Sequence, residues 1–138
     1  IKIAVRSNFS FINVYSKNNA KSKVSTQILY GDNFKKINKL GKWLKIKIEK
    51  DNYKGYIKKK KFLNNQKNTH KILNLSSNLY HKPNSKYKIK KKLSFGSKIK
   101  VVKKYRNFFQ FDNLWIKKKD VVKINFKEIN LFKKINKF

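Results

Sequence analysis

Carboxylates are scarce among the side chains in this sequence that could carry out chemistry. The 138 residues include six acidic ones against 38 lysines and arginines. Asp32 directly follows Gly31 and could bind an ammonium group, because a carboxylate is the natural partner of that cation. The alternative is that Asp32 is only a turn residue that follows a glycine.

The sequence offers no recognisable set of catalytic or metal-binding residues. It contains no cysteine, which excludes disulfides, thiolate ligands and a cysteine nucleophile in this chain. His70 and His81 have no carboxylate or second ligand at a metal-like spacing, so we interpret both as loop residues. No serine lies in a Gly-x-Ser-x-Gly turn. We therefore predict no catalytic residue, no metal site and no cofactor.

Aromatic residues could form a surface on which a ligand stacks. Five of them fall within the predicted strands: Trp43, Tyr56, Phe108, Phe109 and Trp115. In a small barrel such residues more often belong to the core, and we favour that interpretation. Trp43 and Tyr56 are kept as additional candidate ligand contacts.

Short strands are the elements that would position these residues. Apolar and polar residues alternate on both sides of Gly31 and again from Trp43 to Ile48, a period of two that is typical of half-buried strands. Gly41 and Gly55 lie where a strand should end or bend. The pattern predicts an all-β fold built as a small barrel.

The same pattern occurs twice. Two blocks recur at an offset of 65 residues: Asn13-Val14-Tyr15 as Asn78-Leu79-Tyr80, and Ile28–Asp32 as Leu93–Ser97. Phe108 then falls opposite Trp43 at the same offset. We infer an internal duplication, with a first barrel over residues 1–63, a polar linker over 64–69 and a second barrel over 70–124.

The period changes after the second barrel. Four apolar residues recur every three positions: Phe126, Ile129, Phe132 and Ile135. This spacing predicts a short amphipathic helix over residues 125–138. The sequence has no apolar run of about 18 residues, the length that a membrane helix needs.

The net charge of +32 suggests a polyanionic partner such as nucleic acid, a teichoic-type polymer or an anionic membrane. However, nearly all the basic residues are lysines scattered along the chain, and Arg6 and Arg106 are the only arginines. Arginine is the usual residue for bidentate phosphate recognition. We therefore favour compositional drift towards AT-rich codons as the origin of the charge.

The start of the chain shows no signal peptide, which favours a cytoplasmic protein. Because the chain begins with Ile1, a signal peptide that has been removed is an open alternative. In that case the protein would be located in the periplasm or at the cell surface.

Three blocks of the first copy resemble the bacterial SH3 domains that precede the catalytic domain of NlpC-type cysteine peptidases. Ser25–Asp32 resembles the family's Ser-Gln-Leu-Leu-Tyr-Gly-Glu block. Gly41–Ile46 resembles its Gly-Asp-Trp-x-x-Val, and Asp51–Ile57 its Asp-Gly-Tyr-x-Gly-Trp-Val. The second copy keeps a Leu-Pro-x-Gly-Ser-type turn at Leu93–Ser97 and a closing Trp115. The resemblance implies two SH3-like barrels in tandem.

In that family the acid of the first block and the tyrosine of the third contact the free amino end of a cell-wall peptide. The resemblance therefore implies Asp32 and Tyr53 as substrate-binding residues. Asp32 is one methylene shorter than the family's Glu, and Asn52 replaces the glycine before Tyr53. The resemblance also implies that the helix over 125–138 leads into a peptidase domain, which is missing from this chain.

We predict a non-catalytic recognition module of a cell-wall peptidase that binds a peptidoglycan-derived peptide, and loss of that binding in Asp32→Ala. The alternative is a lysine-rich small-barrel protein that binds RNA or another polyanion, with strongly salt-dependent affinity. A third hypothesis, an anchoring module for the wall polymer itself, requires no acid at position 32.

Overall fold

The computed structural model describes residues 3–124 of the chain. Within them every regular element is a β-strand, apart from two short 3₁₀ turns at Ser85–Tyr87 and Lys118–Asp120. The prediction of an all-β fold is confirmed. The helix predicted over 125–138 lies outside the described residues. No helix in residues 3–124 is long and apolar enough to cross a membrane.

The chain divides into two compact units, Ile1–Lys67 and Asn68–Phe138. The first unit contains seven strands: β1 Ile3–Arg6, β2 Phe11–Tyr15, β3 Val24–Leu29, β4 Asn33–Leu40, β5 Trp43–Ile48, β6 Lys54–Lys58 and β7 Leu63–Asn64. They form one sheet in the order β3-β2-β6-β5-β4-β1-β7. Every pairing in it is antiparallel.

One cluster of side chains forms the core of the first unit. Six strands contribute to it: Val5, Ile12, Val14, Ile28, Phe34, Leu44, Ile46, Ile48 and Ile57. A flat sheet would hold β3 and β1 about 24 Å apart, five spacings of about 4.8 Å. Because residues of both strands share one core, the sheet must curl around it. This is the arrangement expected of a small barrel.

Strand β5 shows how the sequence period produces the two faces of this sheet. Leu44, Ile46 and Ile48 are buried in the core, whereas Trp43 and the alternating lysines point outward and are half-buried. Successive side chains of a strand point to opposite faces. The apolar residues at every second position therefore fix which face lies inside.

The second unit contains eight strands: β8 His70–Ile72, β9 Ser76–Tyr80, β10 Lys88–Ser94, β11 Lys98–Ile99, β12 Lys103–Tyr105, β13 Phe108–Phe111, β14 Leu114–Lys117 and β15 Val121–Lys123. They form a five-stranded sheet, β10-β9-β14-β13-β12, and a three-stranded sheet, β11-β8-β15. His70 therefore lies in a strand, and the prediction that it is a loop residue was wrong.

The strand pairings of the two units correspond one to one. In each unit the second strand pairs with the third and with the closing strand, and the first strand pairs with the fourth and the last. The difference lies in the fourth strand. In the first unit β4 has only a register shift between Lys36 and Asn38. In the second unit the corresponding segment is interrupted between Ile99 and Lys103, which leaves β11 and β12 in separate sheets.

A glycine turn recurs with the same hydrogen bonds in both units. In the first, the Gly31 N–H donates to the Ser7 carbonyl at 2.8 Å, and the Ser7 N–H donates to the Asp32 carbonyl at 3.1 Å. In the second, Gly96 donates to Ile72 at 3.0 Å, and Ile72 donates to the carbonyl of residue 97 at 2.9 Å. All partners differ by 65 positions, the offset of the sequence repeat. Both glycines have positive φ, +83° and +88°, as the third position of a type II turn requires.

The polar segment 64–69, predicted as a linker, is hydrogen-bonded at both ends. The Arg6 Nε donates to the Asn64 carbonyl at 2.9 Å, and the Asn33 amide donates to the Gln66 carbonyl at 2.9 Å. The Thr69 N–H donates to the Ile99 carbonyl at 2.9 Å. The early part of this segment is thus bound to the first unit and Thr69 to the second.

Gly55→Ala should destabilise the first unit. A Cβ at Gly55 would lie 2.5 Å from Val14 Cγ1 and 3.1 Å from both the Tyr15 carbonyl oxygen and Tyr53 Cε1. Such overpacking costs about 1–3 kcal/mol of unfolding free energy, measurable by urea denaturation. Lys54→Ala, on the exposed face of the same strand, is the control and should change stability by less than about 0.5 kcal/mol. Equal stability of the two variants would contradict this packing.

Candidate functional site

Asp32 lies in the glycine turn that follows β3, and its side chain is buried, with 2% of its surface exposed. The Leu29 N–H donates to Asp32 Oδ2 at 2.9 Å. The Asp32 N–H in turn donates to the Leu29 carbonyl at 3.1 Å. The carboxylate therefore closes the turn, as the turn-residue alternative predicted. The same carboxylate is held in a fixed position by the backbone.

Asp32 also binds an ammonium group within the molecule. The Lys50 Nζ lies 3.5 Å from Asp32 Oδ2, and the lysine side chain is 45% exposed. A flexible lysine that reaches a buried acid from solvent forms a weak ion pair. This part of the first unit can therefore accept a primary ammonium. Sequence reasoning missed Lys50, because nothing distinguishes it among so many lysines.

Tyr53 lies in the loop between β5 and β6, which is connected to the segment after Asp32. The Glu49 N–H donates to the Asn33 carbonyl at 3.1 Å, and the Ile48 N–H donates to the Tyr53 carbonyl at 2.9 Å. The Tyr53 side chain is half-buried and packs against the core cluster. The loop that carries Lys50 and Tyr53 is thus bonded directly to the residue after Asp32.

Asn52 stands where the family that the first copy resembles has a glycine, and its backbone conformation is one that glycine would also adopt. Its φ of +58° lies in the left-handed region, which glycine adopts freely and which asparagine tolerates better than most residues. The Tyr53 N–H donates to Asp51 Oδ1 at 3.1 Å and further fixes this turn.

Trp43 and Tyr56 lie elsewhere, on the outward face of the sheet. The Trp43 ring packs edge-on against Tyr15 with centroids 5.4 Å apart, and Tyr15 is the cross-strand partner of Tyr56. Trp43 begins β5, whereas the loop of Tyr53 follows the end of that strand. The structure therefore places Trp43 at the opposite end of β5 from this loop. Both rings are half-buried and outside the core cluster, so the interpretation as core residues was wrong for them.

Over its described residues, 68–124, the second unit has no counterpart of the Asp32 and Tyr53 arrangement. Ser97 occupies the position of Asp32 in the repeated turn. The loop of Tyr53 is replaced by a two-residue turn in which Asp112 and Asn113 have φ values of +45° and +61°. Positive φ at both central residues is typical of a tight hairpin turn.

Neither histidine belongs to a cluster of metal-ligating side chains within the described part of the chain. Within residues 3–124 no group of three histidine, cysteine, aspartate or glutamate residues could hold an ion. His70 Nδ1 is hydrogen-bonded to Thr69 Oγ1 at 2.8 Å. His81 packs against Tyr87 with ring centroids 4.9 Å apart.

Comparison with known proteins agrees with the SH3-like fold. Residues 10–64 match the family model of the bacterial SH3 domain, and no curated protein matches the chain. The structure is similar to that of an NlpC/P60 family protein from Bacillus cereus ATCC 10987, with a TM-score of 0.70 and 14% sequence identity. The match covers 88% of this chain and 56% of that protein, so the chain spans about half its length. At this identity the similarity establishes the fold alone.

Asp32→Ala should lower the free energy of unfolding by about 1–3 kcal/mol, because the Leu29 N–H would lose its acceptor inside a buried turn. Asp32→Asn should cost less, since its amide oxygen can still accept that bond. Lys50→Ala should cost less than about 1 kcal/mol, as expected of a partly exposed ion pair. Thermal and urea unfolding of the three variants would measure this order. A loss in Lys50→Ala as large as in Asp32→Ala would contradict the dominance of the turn bond.

Proposed function

We propose that this chain is a non-catalytic recognition module of a bacterial cell-wall peptidase of the NlpC/P60 type. Its first unit binds the free amino end of a peptidoglycan-derived peptide. The observation that carries the proposal is the buried Asp32 carboxylate, which holds an ammonium group within the segment that matches the bacterial SH3 domain.

The proposed binding step is an exchange of one ammonium group for another. The backbone N–H of Leu29 holds Asp32 Oδ2 in place, so little ordering of the carboxylate is needed on binding. The amino group of the peptide replaces the Lys50 ammonium, which is attached to a partly exposed side chain. Tyr53, half-buried in the loop that also carries Lys50, contacts the bound peptide in this proposal.

The second unit acts in this proposal as a second SH3-like barrel that does not contact the amino group. Its pairing order repeats that of the first unit, while position 97 carries a serine in place of the acid. The hydrolytic step belongs to a peptidase domain that works together with this module. This chain has no cysteine that could serve as its nucleophile.

Binding of L-Ala-γ-D-Glu-diaminopimelate, measured by isothermal titration calorimetry, tests the proposal. Asp32→Asn should weaken the affinity by about tenfold to a hundredfold, because a hydrogen bond to a charged group contributes roughly 1.5–3 kcal/mol. The N-acetylated peptide should bind the wild-type chain equally poorly, since it has no ammonium at that end. Lys50→Ala should bind at least as tightly as the wild type, because a competing ammonium is gone.

Glu49→Gln provides the matched control, since it removes one negative charge from the same exposed loop. Its affinity should stay within about twofold of the wild type, as expected of a solvent-exposed charge. Undiminished binding of the acetylated peptide, or of a folded Asp32→Asn variant, would refute the site.

A further inference from the structure

A lysine-lined cleft lies at the end of the first unit away from the Tyr53 loop. It has a volume of about 500 Å³ and is lined by Gly41, Lys42, Trp43, Lys58 and Lys59. Trp43 and Lys58 are cross-strand partners in β5 and β6. The Lys59 N–H donates to the Lys42 carbonyl at 2.8 Å, which fixes the backbone at the mouth of the cleft.

The second unit contains a cleft at the corresponding place. Its volume is about 470 Å³, and it is lined by Ser85, Asn107, Phe108, Lys117, Lys118 and Lys119. Phe108 and Lys117 are cross-strand partners in β13 and β14. The Lys118 N–H donates to the Asn107 carbonyl at 2.8 Å, as Lys59 donates to Lys42 in the first unit.

This correspondence extends beyond the lysines, which alone would mean little in a chain so rich in them. In each unit the aromatic residue of the cleft begins a strand, β5 or β13, and packs edge-on against a tyrosine of the second strand of that unit, β2 or β9. Trp43 packs on Tyr15 with centroids 5.4 Å apart, and Phe108 packs on Tyr80 with centroids 5.3 Å apart. The same backbone bond, the aromatic pair and the positions of two lysines thus recur in two units whose loops differ.

Each cleft presents three ammonium groups and no carboxylate among its lining residues. Two lysines of the second cleft are placed over aromatic rings: Lys117 Nζ lies 5.8 Å from the Tyr80 centroid, and Lys118 Nζ lies 5.4 Å from that of Phe109. Cation–π contacts of this kind hold ammonium groups near a ring face. The occupant that fits by charge is therefore an anionic group.

The burial of the aromatic residues disfavours nucleic acids and favours anionic polymers that lack bases. Single-stranded nucleic acids are bound through bases stacked on exposed aromatic faces, but Phe108 is only 7% exposed. Trp43 is half-buried, and its ring packs edge-on against Tyr15. Lysine acts as a point charge that needs no planar partner. From these observations we infer that each cleft binds the phosphate groups of a linear phosphodiester polymer that lacks bases. This binding is separate from the peptide site at Asp32.

The test uses the full chain and fluorescently labelled poly(glycerol phosphate), with affinity read from fluorescence anisotropy. Lys58→Gln/Lys59→Gln and Lys117→Gln/Lys118→Gln should each weaken binding about tenfold, as two lost ion pairs predict. The control, Lys35→Gln/Lys54→Gln, removes the same charge at the other end of the first unit's strands. It should change affinity by less than about twofold.

Three results would overturn the inference. Absence of binding to poly(glycerol phosphate) would do so directly. An equal loss in the control variant would show that the binding reflects the overall charge and not the clefts. Tighter binding of oligouridylate RNA, together with its loss in Trp43→Ala, would identify stacked bases as the ligand. Because Lys58 and Lys59 are exposed, the first-unit variant can decide the matter even if the second-unit variant fails to fold.

Discussion

The hydrogen bonds around each glycine turn are the constraint on which both units depend. The turn at Gly31 donates to and accepts from Ser7, which directly follows the first strand, and the turn at Gly96 does the same with Ile72. These bonds join the third and fourth strands to the first and so help to bring the sheet around its core. A residue with a side chain would be strained at the positive φ of either glycine. In the first unit this turn also positions the Asp32 carboxylate, so the fold and the candidate site share one element.

The excess of basic residues imposes a second constraint. Because the cores of these small sheets are narrow, the lysines lie on the outer face and in the loops, where their ammonium groups stay hydrated. A chain of net charge +32 repels free cations at long range. A cell-wall peptide carries several carboxylates besides its amino group, so its approach is not opposed in the same way. In the proposed function, the buried Asp32 would provide the local attraction that selects the amino end.

Local patterns in the sequence were informative wherever a single strand or turn decides the outcome. The alternation from Trp43 to Ile48 correctly separated Leu44, Ile46 and Ile48 as inward residues. The repeat offset of 65 reappears in the bonds of the glycine turns. Trp43 and Tyr56 were assigned to the core from their residue type, although each alternates with inward residues of its own strand. What the structure adds is the outer-face partner Tyr15, which packs against Trp43 and is paired with Tyr56.

The sequence by itself determined the all-β class, the period of the strands and the turns that glycine must occupy, because these depend on neighbours within a few residues. It also singled out Asp32 as an unusual acid in a basic chain. Only the tertiary structure decided that this acid is buried, that Lys50 lies beside it, and that Trp43 packs against Tyr15. Such contacts join residues that are not neighbours in the chain, and from the sequence alone many other lysines and aromatic residues could have formed them. The choice among these residues is made by strand pairing and burial.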